Sequence, residues 1–340
     1  MSALSSPHPI PSRASWASSA LVGALRARVD ARLRDLPRGE GPASQAVVEL
    51  LAAGGKRLRP VLVHLGGALV GADAGLLDSL AEAGELVHVA SLLHDDLMDG
   101  AEERRGRPAA WRALGPKAAV LGGDRAHVMA LEQAARAPGP ILPRFLETVA
   151  SMVEAQSLEI GQAGRLAGGE VAWRRVAYGK TAALCGWCAE AGALAAERPV
   201  EAQALRAFGE ALGLAFQAVD DLIDLIPGMD PGKPAFADLR AGVPSLPLRY
   251  AAAADPTLRQ AVGQLWRRRG EPTSALAEAV RRAGVGPTVG FVARTVAVAR
   301  EALTTLPAGE PRAVLSSMAE DLAARAERCA ASAVHPPESA

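Results

Sequence analysis

Asp95-Asp96-Leu97-Met98-Asp99 and Asp220-Asp221-Leu222-Ile223-Asp224 repeat one arrangement of three carboxylates. Residues four apart share a helix face, so Asp95 with Asp99, and Asp220 with Asp224, can point the same way, flanked by Asp96 and Asp221. Both sets follow mostly apolar sequence, Val89 to Leu93 before the first and Leu214 to Val219 before the second. Carboxylates placed there are costly to bury without compensating charge. Hard oxygen donors of this kind suit magnesium, which keeps several waters and is usually completed by phosphate oxygens. Two acidic helix faces that merely look alike are the plain alternative, and the basic residues decide against it.

Gly54-Gly55-Lys56-Arg57-Leu58-Arg59-Pro60 sets three cations beside two glycines. The glycines let backbone approach an anion, and arginine forks match phosphate oxygens. Arg104-Arg105-Gly106-Arg107-Pro108 follows soon after Asp99, while Lys180-Thr181 and Gly232-Lys233 add two isolated cations. Any one of these groups alone is ordinary surface charge. Together they describe a site that holds one diphosphate through metal and another through Arg and Lys.

Helices must carry these residues. Apolar positions recur at three and four residues through most of the chain, with Ala, Leu and Glu or Arg dominant, which favours helix over strand. The spacing predicts helices near 19–34, 43–53, 57–70, 74–99, 115–136, 141–165, 171–194, 201–225, 246–269, 273–282, 287–304 and 311–331, with Gly and Pro at the joints. No run alternates convincingly as a strand would. The 228–247 segment, with four prolines and three glycines, follows the second acidic cluster, where a loop could close over bound ligand. The reading is one all-α domain over 19–331, between a flexible lead (1–18) and tail (332–340), with both acidic helices facing a shared deep cavity. Two separate helical domains are the alternative.

Composition narrows the function. The 340 residues can bury a substantial core, and 37 basic and 37 acidic side chains cancel, so an anion site must be local. Two tyrosines and five phenylalanines leave no aromatic residues interleaved with a basic patch, which argues against nucleic-acid binding. Cys185, Cys188 and Cys329 form neither a disulfide framework nor a four-ligand zinc site and read as small buried residues. No signal peptide is evident, and the apolar run Val61 to Leu77, interrupted by His64 and Asp73, falls short of a membrane span. A soluble cytoplasmic enzyme fits.

In order, the chain carries GGKRLRP at 54–60, HDDLMD at 94–99, RRGRP at 104–108, GGD at 122–124, KT at 180–181, FQAVDDLID at 216–224 and GK at 232–233. The set resembles the trans-isoprenyl diphosphate synthases, of the polyprenyl and geranylgeranyl diphosphate synthase kind, over roughly residues 20 to 325. The resemblance implies the isoprenoid synthase-type helical bundle, normally a homodimer, joining isopentenyl diphosphate to an allylic diphosphate with about three magnesium ions per site. By position, Asp95, Asp96 and Asp99 resemble the first metal cluster, and Asp220 with Asp224 the second, supported by Asp221. Lys56, Arg59, His88 and Arg105 match the groups that hold isopentenyl diphosphate. Arg104, Lys180 and Lys233 match those meeting the allylic diphosphate. Thr181 and Gln217 correspond to polar groups near the developing carbocation, and Gln156 to a polar residue on the facing helix.

Product length is expected to depend on the tunnel below Asp95 and Asp99. Ala90, Ser91 and, a turn further back, Val87 read as its wall, with no aromatic plug, which implies a product of about twenty carbons or more. Two departures fall in the closing loop. The family's usual GKxTxP stretch is Gly242-Val243-Pro244-Ser245-Leu246-Pro247 here, so Val243 stands where a second lysine is expected, and Phe236 stands near an expected glycine. They keep open a cyclase or altered prenyltransferase on the same scaffold, and a non-catalytic partner subunit. Lys56, Arg59 and Arg105 argue against both, since neither needs cations for isopentenyl diphosphate.

Overall fold

Alanine- and leucine-rich periodicity produces fifteen α-helices among the residues described by the computed structural model, which are 16–36, 39–229 and 234–334. They are α1 (Ala20–Arg34), α2 (Pro42–Ala52), α3 (Leu58–Leu69), α4 (Ala74–Met98), α5 (Ala110–Ala113), α6 (Pro116–Ala134), α7 (Ile141–Gln162), α8 (Gly169–Ala177), α9 (Ala183–Ala195), α10 (Pro199–Asp224), α11 (Ala237–Ala241), α12 (Leu246–Ala254), α13 (Pro256–Arg268), α14 (Ser274–Leu303) and α15 (Glu310–Val334). Of the expected flexible ends, only Trp16–Ser18, a single 3₁₀ turn, and 332–334, the end of α15, lie within the described residues. Lys233 and its neighbour Gly232 lie outside them.

One contiguous set of buried apolar side chains runs from Val22 in α1 to Cys329 in α15. At its centre α9 packs on α3 and α10, α10 packs on α14, and α4 packs on α6. Glycine makes the central approaches close. A Cβ on Gly66 would lie 2.2 Å from the Ala189 carbonyl oxygen, and one on Gly209 would lie 2.4 Å from that of Cys185. Those helix pairs therefore meet backbone to backbone. Among the described residues no helix is long and apolar enough to cross a membrane.

Three local features differ from the periodic reading. The expected 246–269 helix is broken at Asp255, which accepts a 2.7 Å bond from the Thr257 amide and starts α13 with Pro256 at its first turn. The expected 273–282 and 287–304 helices are one, α14, with Pro287 inside it. Thr288, next along, is fully buried and donates its hydroxyl to the Gly284 carbonyl at 2.8 Å. Finally, RRGRP folds as a small antiparallel hairpin, β1 (Glu103–Arg104) with β2 (Arg107–Pro108). Arg105 and Gly106 both take positive φ, 55° and 73°, as a two-residue hairpin turn requires.

Candidate active site

A cavity of about 1100 Å³ opens between α3, α4, α10, α15 and the β1–β2 hairpin. On α4 the lining residues are Glu85, His88, Ser91, Leu92 and Asp95, a stripe at steps of three and four. Ala90 and Val87, expected to face the tunnel, are fully buried and do not line it. Each residue turns a helix by about 100°, so Ser91 and Leu92 lie within roughly 60° of the Asp95 direction, while Ala90 is about 140° away. Of the three, only Ser91 lines this cavity.

The basic half is built at the start of α3. Lys56 is exposed, Arg59 is half-buried, and both line the cavity. Arg57 borders the same cavity but is turned inward: its side chain is 3% exposed and bonds Glu85 at 2.6 Å, Asp30 at 2.9 Å and the Leu51 carbonyl at 2.7 Å. Arg105 reaches the Gly54 carbonyl from the hairpin. A Cβ on Gly55 would sit 3.0 Å from the Arg105 guanidinium, so this glycine makes room for an arginine. Burial, reinforced by Arg59, Arg105, Arg104 and Arg57, holds His88 well below the usual histidine range. Its imidazole is neutral at pH 7, a hydrogen-bonding group among cations.

The acidic half divides its aspartates between cavity and scaffold. Asp95 lines the cavity, and burial pushes its carboxyl up to about 6, with Lys180 opposing and Asp99 and Glu159 adding to the shift. Asp99 is exposed at the C-cap of α4. Asp96 is buried and accepts from Arg104 Nε at 2.8 Å, tying the hairpin to α4. On α10, Asp220 is exposed and lines the cavity. Asp221 is buried, and Asp224 accepts a 3.1 Å bond from the Asp238 amide at the start of α11. Asp224 also receives the Phe236 amide on its backbone carbonyl at 2.6 Å, so the second motif anchors the returning loop. Phe236 holds φ at 61°, a left-handed conformation that favours glycine. Val243 is half-buried in the same loop.

Lys180 and Thr181 sit in a π-helical turn, Tyr178–Ala182, between α8 and α9. Such insertions re-aim side chains and recur at functional sites. Lys180 pairs with Glu159 of α7, and Thr181 donates to Gln217 at 3.0 Å. Gln156 does not line the cavity; Glu159, one helical turn on, is the α7 residue that meets a site cation. Neither Glu159 nor the lining residues of α15, among them Met318 and Leu322, carried a sequence signal, because their roles depend on contacts between distant helices. Among the described residues no three acidic, histidine or cysteine side chains converge tightly enough to hold a metal ion unaided.

The sequence that builds this cavity matches the polyprenyl synthetase family model over residues 42–283. The chain belongs to that family. Over 205 residues it is 36% identical to a short chain isoprenyl diphosphate synthase of Methanothermobacter thermautotrophicus, covering 58% of this chain and 63% of that protein. It is 35% identical, also over 205 residues, to the octaprenyl diphosphate synthase of Escherichia coli, covering 59% and 64%. The matched region thus spans a little under two thirds of either curated relative. A polyprenyl synthase from Caulobacter crescentus, solved with calcium and isoprenyl diphosphate, superposes with a TM-score of 0.82 at 32% identity, over 89% of this chain and 95% of that one. The all-α bundle is therefore the isoprenoid synthase fold.

The inward turn of Arg57 carries a stability consequence. Arg57→Met would leave Glu85, itself 3% exposed, as a buried charge without its partner. The expected loss is about 3 kcal/mol or more of unfolding free energy, read from the denaturant midpoint. A loss below about 1 kcal/mol would show that Glu85 is satisfied without Arg57.

Proposed function

We propose that this protein condenses isopentenyl diphosphate with an allylic prenyl diphosphate in trans and head-to-tail, releasing diphosphate. The observation that carries this reading is a single cavity lined both by Lys56, Arg59, His88 and Arg105 and by Asp95, Asp220 and Lys180. Asp95 and Asp220 reach it from different helices, and Asp99 is exposed one turn beyond Asp95. One or two carboxylates plus phosphate oxygens are how magnesium is usually held, which also accounts for the lack of a closed all-protein cluster among the described residues. Burial destabilises the Asp95 carboxylate, and a neighbouring cation would relieve that. The donor set therefore suits about three magnesium ions, with Asp95, Asp99 and Asp220 as direct ligands.

Magnesium, when bound, supplies Lewis-acid neutralisation of the departing diphosphate. The chain's own residues supply the rest. Lys180, freed from Glu159, and Arg104 offer donors to the allylic diphosphate as its C1–O bond breaks and negative charge grows on the leaving oxygen. Lys56, Arg59, Arg105 and neutral His88 hold isopentenyl diphosphate so that its double bond meets C1 of the allylic cation, replacing a bimolecular encounter by proximity. The new carbon–carbon bond leaves a tertiary cation, which loses a proton to the released diphosphate. No side chain is needed as a general base.

The α4 wall carries Ser91 and Leu92 rather than an aromatic plug, which supports a product of about twenty carbons or more. The same reading gives a homodimer working in the cytoplasm. Val120, Leu121 and Val128 of α6 and Leu146, Val153 and Ile160 of α7 are exposed and would favour association. Cys185, Cys188 and Cys329 are buried and unpaired, as suits a reducing compartment.

The test incubates purified protein and magnesium with isopentenyl diphosphate and, in turn, dimethylallyl, geranyl, farnesyl and geranylgeranyl diphosphate, sizing the products after dephosphorylation. Elongation is the expected result. Hydrocarbon release without elongation would assign a cyclase instead. Inactivity alone, with an altered product pattern when a related synthase is added, would assign a partner subunit.

A further inference from the structure

Asp221 follows Asp220 directly but is buried at 6% exposure and does not line the cavity. Three donors occupy it. Trp173 Nε1 and the Leu246 amide donate to Oδ2 at 2.7 and 2.9 Å, and Gln217 Nε2 donates to Oδ1 at 3.2 Å. Trp173 on α8 is itself 5% exposed and is held edge-on to Phe291 with ring centroids 5.2 Å apart, so its N–H is locked in place. Indole and backbone N–H groups only donate, and a carboxylate only accepts, so every partner has one polarity. Gln217 must therefore turn its NH₂ to Asp221 and its Oε1 to Thr181, whose hydroxyl donates to it at 3.0 Å. Unlike Trp173 and Asp221, Gln217 and Thr181 line the cavity.

We infer that Trp173 and Asp221 form a positioning pair that fixes the polarity of Gln217 and Thr181, with Asp221 an anchor rather than a magnesium ligand. The inference rests on the proposed condensation. Oxygen lone pairs of Gln217 and Thr181 then sit beside the allylic carbon as it becomes positive. A flipped Gln217 amide would present N–H there and oppose the charge. Because Leu246 opens α12, the same carboxylate fastens the far end of the loop that returns from α10.

The test uses the full-length protein and two variants. Trp173→Phe keeps an aromatic ring and removes the donor; Asp221→Asn keeps the shape and brings an N–H among donors. In ¹⁵N-tryptophan-labelled protein, the Trp173 indole N–H is assigned by its absence from Trp173→Phe. It is expected downfield and protected from solvent exchange, and should move upfield in Asp221→Asn. Rapid exchange in the wild type would overturn the pairing. This readout needs no turnover, so it stands apart from the condensation assay, whose failure would end the functional reading alone. In turnover, Trp173→Phe is expected to lower kcat about tenfold and Asp221→Asn about a hundredfold, with KM for both diphosphates and the half-activating magnesium concentration within about twofold of wild type. Unchanged kcat in folded Trp173→Phe would make the tryptophan merely structural. A magnesium midpoint raised about tenfold or more in Asp221→Asn would make Asp221 a ligand. Either result overturns the inference.

Discussion

Asp95→Asn should reduce kcat by about a thousandfold or more while leaving the fold intact, and Asp220→Asn should do nearly the same. The two carboxylates line one cavity from α4 and α10, so each supplies charge that its partner helix cannot replace. Asparagine preserves volume and one oxygen but removes the negative charge that draws a divalent cation into a partly buried place. Steady-state rates and magnesium titrations on the two variants measure the effect, and residual activity within about tenfold of wild type would defeat the metal assignment. Asp95 adds a pH signature. Its carboxyl lies near 6 because burial disfavours the charged form, so the folded protein keeps a proton there that the unfolded chain has already lost. Folding stability from this group is therefore greatest at low pH and declines as pH rises from the ordinary carboxylate range through about 6. A cation competes with that proton. The wild-type magnesium midpoint should accordingly weaken below about pH 6, and Asp95→Asn should lose that dependence.

Sequence legibility followed the range of the interactions involved. Helix periodicity is local, so the long helices α4, α7 and α10 were readable from apolar spacing, and both acidic motifs were readable from composition and repetition. Roles within each motif were not. Asp96 and Asp221 look equivalent to their neighbours along the chain, yet Arg104 engages the first, and Trp173 with Leu246 engages the second, across eight, forty-eight and twenty-five residues. Arg57 likewise reads as one of three phosphate cations until Glu85 and Asp30 draw it inward. Glu159 was missed for the same reason: nothing near it in sequence announces Lys180. The hairpin escaped because its two-residue strands are too short to alternate, although the adjacent Arg105 and Gly106 carried the turn. Helix phase separates the residues expected along the tunnel: Ser91, four positions before Asp95, lines the cavity beside Leu92, whereas Ala90, five before, turns into the core on another side of α4.

That phase fixes where a bulky side chain should cut the product short. Ser91 lines the cavity one helical turn before Asp95, with its hydroxyl bonded to the His88 carbonyl at 2.9 Å. Ser91→Phe would project a ring across the path of a chain growing away from the allylic diphosphate. The aromatic adds roughly five heavy atoms to a wall built for a hydroxymethyl group, enough to stop elongation by one or more isoprene units. Products sized by chromatography should shift to shorter chains, while the rate of the first condensation changes little because Asp95 and the basic mouth are untouched. Ala90→Phe supplies the opposing control. Ala90 is fully buried among core side chains, so a ring there overpacks the helix contact at a cost of about 1–3 kcal/mol and should lower stability without moving product length. If Ala90→Phe shortened the product and Ser91→Phe did not, the growing chain would have to run along the α6-facing side of α4. The cavity between α4, α10 and α15 would then serve substrate entry rather than elongation.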